Sequence, residues 1–276
     1  MAEALALGSV SGALLARREK VALLSVILAV AGVAWSYLVL SAAHMSMDTA
    51  AHAAMGMSSV PWNAKTAVLT FIMWAVMMVA MMLPSAAPMV LTYAAVVGRV
   101  APEQGKRSSV AAFAAAYLLV WFGFSVGTTL LQAGLDGAAL LSPTTMVLGP
   151  LLGGGLLIIA GLYQLSPVKE FCLRNCQSPL TFIASNWRPG LKGALNMGLR
   201  HGAFCVGCCW ALMLLLFVGG VMNLLWVAAI ATFVLFEKLI GPGRRMGRWL
   251  SGGALIGAGV FLLVGRYGGI WLTSIG

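Results

Sequence analysis

Long apolar runs, separated by short segments that hold most of the ionisable side chains, divide this chain into seven stretches near residues 21–43, 64–97, 109–135, 145–165, 202–220, 222–240 and 249–271. A helix crosses the hydrocarbon core of a bilayer with about 20 apolar residues. The pattern therefore predicts an all-α fold, a polytopic transmembrane helix bundle of about seven spans, built as one integral membrane domain over residues 1–276 in contact with the lipid bilayer. The stretch 64–97 exceeds one crossing and contains MLPSAAPM, so Pro84 and Pro88 are expected to kink or interrupt it. The first run follows ARREK but is longer than the roughly 7–15 residues of a signal-peptide core, and it reads as a retained helix. The small-residue run GPLLGGGLLIIAG is expected to serve close helix packing rather than phosphate binding.

Composition agrees with the pattern, with 61% hydrophobic and only 9% charged residues, against roughly 25% charged in soluble domains. The net charge of +10 would suit a nucleic-acid partner if it lay on one exposed face. It is instead sorted by topology. With the N-terminus in the cytoplasm and the C-terminus outside, fifteen of the 17 Lys and Arg residues fall in inner segments and only Lys65 and Arg266 fall outside. That is the positive-inside asymmetry of a multi-pass protein of the bacterial inner membrane, and no nucleic acid is needed to explain it. No serine nucleophile with a base, no paired carboxylate site and no nucleotide-binding loop is present. The chain reads as no hydrolase, ATPase or transferase, and as no enzyme unless its thiols do redox work.

Soft ligand atoms are concentrated at three places. On the inner side, Cys172 and Cys176 lie in SPVKEFCLRNCQSP, while His201, Cys205, Cys208 and Cys209 lie in HGAFCVGCCW. Cytoplasmic thiols stay reduced, and five is an odd number for a disulfide framework. At about 100° per residue, His201, Cys205, Cys208 and Cys209 share one helix face, and Met197 and Met213 extend the four-residue ladder at both ends. Thiolate and thioether favour Cu(I), and thiolate with imidazole also suits zinc. Single cysteines of this kind also serve as small apolar filler; their clustering is what points to a metal. Glu237 and Lys238, at the inner end of the sixth span, are close enough to the interface for the lysine to snorkel. Glu237 is a possible partner to His201.

The second place is FIMWAVMMVAMMLPSAAPM, where Met73, Met77 and Met81, and also Met78 and Met82, recur four residues apart. Such a stripe either packs or lets sulfurs on one face touch a passing Cu(I) without trapping it. The third is the outer loop HMSMDTAAHAAMGMSS, with Met45, Met47, Met55 and Met57 beside His44, Asp48 and His52. Methionine and histidine tolerate a compartment where cysteine would be oxidised. The order Met/His outside, Met within and Cys/His inside is what an inward Cu(I) relay requires, and redox compartments alone would also produce it.

The combination MWAVMMVAMMLPSAAPM, PVKEFCLRNCQSP, HGAFCVGCCWALM and VMNLLWVAAIATFVLFEK, over roughly residues 64–240, resembles a bacterial family of predicted metal-binding integral membrane proteins, some of them labelled copper chaperone. The resemblance implies a multi-spanning inner-membrane protein with a metal role for Cys172, Cys176, Cys205, Cys208 and Cys209. Where that pattern often carries a basic residue after the second loop cysteine, this chain has Gln177. Three functions follow as expectations. The first is Cu(I) handling, as an importer or as a membrane copper chaperone serving a cuproenzyme, with a periplasmic copper donor as a further partner. The second is a membrane thiol redox protein cycling Cys172/Cys176 or Cys205/Cys208. The third is a structural subunit of a membrane complex. The methionine-rich outer loop favours copper, since a thiol redox relay has no use for it.

Overall fold

The computed structural model of the protein describes residues 17–54, 62–100, 105–142, 146–239 and 245–267, without the side chains of 45–54 and 245. Among the described residues the helices, in chain order, are α1 (Arg17–Ala54), α2 (Ala64–Val100), α3 (Lys106–Gly137), α4 (Pro150–Leu165), α5 (Pro167–Gln177), α6 (Pro179–Asn186), α7 (Gly190–Leu214), α8 (Leu216–Gly219), α9 (Leu224–Leu239) and α10 (Arg245–Tyr267). Apart from one bridge between Leu141 and Leu148, no strand pairing occurs among them. Proline opens α4, α5 and α6, where its missing N–H costs nothing and its fixed φ suits the first turn.

The protein is all-helical, with five helical stretches long and apolar enough to cross a membrane: Arg17–His44, Ala64–Val100, Lys106–Gly137, Gly190–Gly219 and Met246–Gly265. The pair α4 and α5, bent by 64° at Ser166, makes a sixth if it is one broken span. Helix stands at each of the seven stretches expected from hydropathy. Two of them, α4 and α9, have only 16 residues, a length of about 24 Å, which is short of a hydrocarbon core.

Two local expectations differ from what is found. The helix α2 is not interrupted by Pro84 and Pro88 but runs through both. Proline withholds an amide from the carbonyls of Ala80 and Pro84. In the same turns hydroxyls act on the backbone: Ser85 Oγ donates to Met82 O at 2.8 Å, Tyr117 Oη to the same carbonyl at 3.1 Å, and Thr92 Oγ1 to Pro88 O at 2.7 Å. The expected outer loop also begins as helix, since α1 continues to Ala54 and carries the backbone of Met45, Met47, Asp48 and His52. His44 is exposed; the side chains of Met45, Met47 and His52, and all of Met55 and Met57, lie outside the described residues.

Packing centres on α7. Gly198 and Gly202, one turn apart, let it lie directly on α3: an added Cβ would stand 2.3 Å from Phe113 O at Gly198 and 2.9 Å from the Val120 side chain at Gly202. Gly207 makes the same kind of room for α5, its Cβ position lying 2.8 Å from Cys172 Sγ. Close backbone approach at small residues is how helices associate where lipid removes the hydrophobic drive. Between α2, α3 and α7 the interior is filled by Trp74, Tyr93, Phe113, Tyr117 and Trp121, all buried. The α10 helix packs on α4 through Gly252 against Gly161, and it exposes Trp249, Leu250, Phe261 and Val264.

Gly198→Ala should lower stability by about 1–3 kcal/mol, the usual range for overpacking, whereas Gly123→Ala on α3, where an added Cβ meets nothing within 4 Å, should not. Thermal unfolding of the two variants in one detergent reads the difference; equal loss would mean that the α3–α7 contact is not this tight.

Candidate metal centre

The four-residue ladder on α7 places one face inward, and Met197, His201, Cys205, Cys209 and Met213 are all buried, as is Cys208. Burial draws the polar S–H groups to the nearest acceptor. Cys208 and Cys209 both donate to the carbonyl of Cys205, at 3.1 and 2.8 Å. From this ridge the sulfurs reach three neighbouring helices. Cys208 Sγ lies 3.9 Å from Cys176 Sγ on α5, and Cys209 Sγ lies 3.9 Å from Met82 Sδ on α2. The ammonium of Lys238 on α9 donates to Cys205 Sγ at 2.9 Å and to Ser85 Oγ at 2.9 Å, with Met82 Sδ at 4.0 Å. On the α3 side Tyr117 Oη is 3.1 Å from Cys205 Sγ. Cys172 borders the group against Gly207 and is half-buried, as is Cys176.

These spacings fit a small soft ion. Two sulfurs each about 2.3 Å from a shared ion, a typical metal–thiolate length, stand at most about 4.6 Å apart. Both sulfur pairs fall inside that limit. Among the described residues no three His, Cys, Asp or Glu side chains form a ready cage. The donors come as thiol–thiol and thiol–thioether pairs, a set suited to Cu(I) more than to the four N, S or O ligands of structural zinc.

The structure separates the expected residues into those it joins and those it does not. Cys176, Cys205, Cys208 and Cys209 form the group, with Cys172 at its edge. His201 is buried in an aromatic box rather than solvated at an interface. Its ring stands 5.4 Å from Tyr117, 6.0 Å from Phe113 and 5.5 Å from Phe182, and its Nδ1 has no hydrogen-bond partner among the described groups. Met73, Met77 and Met81 are buried along α2, but the thioether that touches a thiol is that of Met82.

Glu237 does not meet His201. It accepts from Lys169 Nζ at 2.8 Å and from Gln164 Nε2 at 2.7 Å, Lys169 also donating to Gln164 Oε1. Gln164 Nε2 also donates to Ser251 Oγ at 3.0 Å, and Gln177 to Glu237 O at 2.8 Å, so α4, α5, α9 and α10 share one polar knot. Lys238 does not snorkel; it is buried among the sulfurs. Tyr117, Ser85, Lys169 and Gln164 were not expected from the sequence. The one available signal was a lysine beside a glutamate at the end of an apolar run, which burial, not periodicity, makes meaningful.

The chain is thus an all-helical protein with membrane-length helices and a buried thiol–thioether group. The PpoB2 family model, described as a copper chaperone, matches residues 71–262, and the chain belongs to that family. A copper-related function follows from that membership. No curated protein and no solved structure matches the chain.

Removing one partner of the buried Lys169–Glu237 pair should be costly, since Lys169 is fully buried. Glu237→Gln is expected to destabilise the protein by about 3–5 kcal/mol, and Lys169→Met in the same chain to recover most of that. Thermal unfolding of the single and double variants measures it, and a double variant no better than Glu237→Gln alone would refute the pairing.

Proposed function

We propose that the chain is a Cu(I)-binding chaperone of the bacterial inner membrane that accepts the ion from the outer side along the α2 thioethers and holds it at the inner thiols for delivery. The observation that carries this reading is the contact of Cys209 with Met82, because it joins the methionine column to the cysteine group in one buried file. Met73, Met77, Met78, Met81 and Met82 all lie inward on α2. A thioether binds without losing a proton and more weakly than a thiolate, so an ion moving down this file meets stronger ligands as it advances. Movement of a monovalent cation into a negative interior is favoured by about 2.3 kcal/mol per 100 mV.

The proposal includes seven crossings with the N-terminus inside and the C-terminus outside, α4 and α9 being short ones. Two polar contacts agree with the expected pairing of helix ends. Glu19 pairs with Lys106 at 2.6 Å, joining two expected inner ends, and Trp62 donates to Asp136 at 2.6 Å, joining two expected outer ends. A reporter fused to the C-terminus should be active only outside the cytoplasm; cytoplasmic activity would overturn the orientation.

Reduced protein should bind about one Cu(I) in competition with a chelator, and Cys205→Ser with Cys209→Ser should lower that affinity by about tenfold or more, given that thiolates are the strongest ligands present. Unchanged affinity would remove these thiols as the site. Met77 and Met81 changed together to Leu keep the apolar volume approximately. That variant should lose radiolabelled copper flux in proteoliposomes while the thiols still bind copper in detergent. Normal flux would remove the thioether file. Absence of flux even in the parent would leave a holding and delivery role alone.

One observation favours a second reading, thiol redox chemistry. Cys176 and Cys208 are 3.9 Å apart, so the dithiol to test is this pair rather than either pair expected from spacing. Formation and reduction of a Cys176–Cys208 disulfide under a glutathione couple, detected by mass spectrometry, distinguishes it.

A further inference from the structure

We propose that Lys238 is the specificity-determining counter-ion of the Cys205, Cys209 and Met82 group, favouring a monovalent soft cation over a divalent one; this rests on the reading of that group as the place where Cu(I) is held. The ammonium is in contact with two of the three sulfurs, at 2.9 Å from Cys205 Sγ and 4.0 Å from Met82 Sδ, and Met82 Sδ in turn is 3.9 Å from Cys209 Sγ. Lys238, Cys205, Cys209 and Met82 are all buried, so water does not screen the charges that meet there.

Net charge then decides which ion fits. Each ligating thiol gives up its proton to water on binding. Cys205 and Cys209 therefore supply two negative charges and Met82 none. With the Lys238 ammonium beside them, a monovalent ion brings the group to zero, whereas a divalent ion leaves one uncompensated positive charge in an apolar interior. Such a charge is strongly disfavoured.

Only a third thiol could absorb it, that of Cys208, which is held by the Cys205 carbonyl at 3.1 Å and would have to give up a further proton in the same buried space. Tyr117 presents a hydroxyl, Ser85 another, and His201 lies behind the Tyr117 ring. The adjacent carboxylate, Glu237, is already matched to Lys169 at 2.8 Å. A lysine with only a structural part, tying α9 to α2 through Ser85, would influence both ions alike. The counter-ion role influences their ratio.

The test uses the reduced full chain in detergent. Cu(I) and Zn(II) affinities are each measured by competition with a chromophoric chelator and compared as a ratio, for the parent, Lys238→Met and Lys238→Arg. Lys238→Met should reduce the Cu(I)-to-Zn(II) affinity ratio by about tenfold or more, the scale of one unbalanced buried charge, and Lys238→Arg should keep the parent's preference. If Lys238→Met does not give a monodisperse protein, Lys238→Gln, which retains a donor for Ser85, is expected to show the same change of ratio. A parent that binds Cu(I) with a ratio unmoved in the neutral variants overturns the counter-ion role alone. A parent that binds neither ion overturns this inference together with the copper reading on which it rests. Equal weakening of both ions also overturns it, in favour of a structural lysine.

Discussion

An ammonium group without water must be met by protein, and two such groups, Lys169 and Lys238, organise the packing around α9. Both are buried, and an unpaired charge there would cost several kcal/mol. Lys169 is answered by Glu237 and Gln164, and Lys238 by Cys205 and Ser85. Both arrangements pass through neighbouring residues of α9, Glu237 and Lys238, which a helix turns about 100° apart. One side of this short helix is thereby tied to α4 and α5, and another to α2 and α7. This 16-residue helix is held by these polar ties together with the burial of Val227, Ile230 and Val234.

This explains why the cysteines come together although they are far apart in the chain. The α5 helix brings Cys172 and Cys176 to α7 because Gly207 lets it approach and because Lys169, on the same short helix, is fastened to α9. The α2 helix brings Met82 because the turns around Pro84 and Pro88 stay helical and place hydroxyl donors on their carbonyls. Tyr117 contributes to both, since one hydroxyl lies against the Met82 carbonyl and the Cys205 sulfur. The sulfur group thus shares its residues and neighbours with the close contacts and polar ties that hold the bundle.

Hydropathy made the helices legible, and the four-residue ladder on α7 made its inward face legible, because both depend on local period. What the sequence did not disclose depends on partners from elsewhere. Lys238 read as an interfacial lysine because a helix end is normally near water, and only the packing of α9 against α2 reverses that. His201 read as a ligand beside cysteines, but the rings of Phe113, Tyr117 and Phe182, from two other helices, enclose it. The choice between Met81 and Met82 as the thiol neighbour was likewise beyond a period count, since adjacent positions differ only by the rotation of α2 relative to α7.

The distribution of sulfur types follows from the same constraint on buried charge. A thioether is neutral with or without an ion, so a file of methionines through an apolar interior never requires a compensating charge along its length. A thiolate does require one, and can be placed only where the protein supplies a positive partner or where water is near. The buried Cys205 sulfur meets the Lys238 ammonium at 2.9 Å, whereas Met73, Met77 and Met78 are buried along α2 as neutral thioethers. On the proposed copper reading, the place where the ion is held rather than passed is set by the position of that ammonium as much as by the thiols themselves.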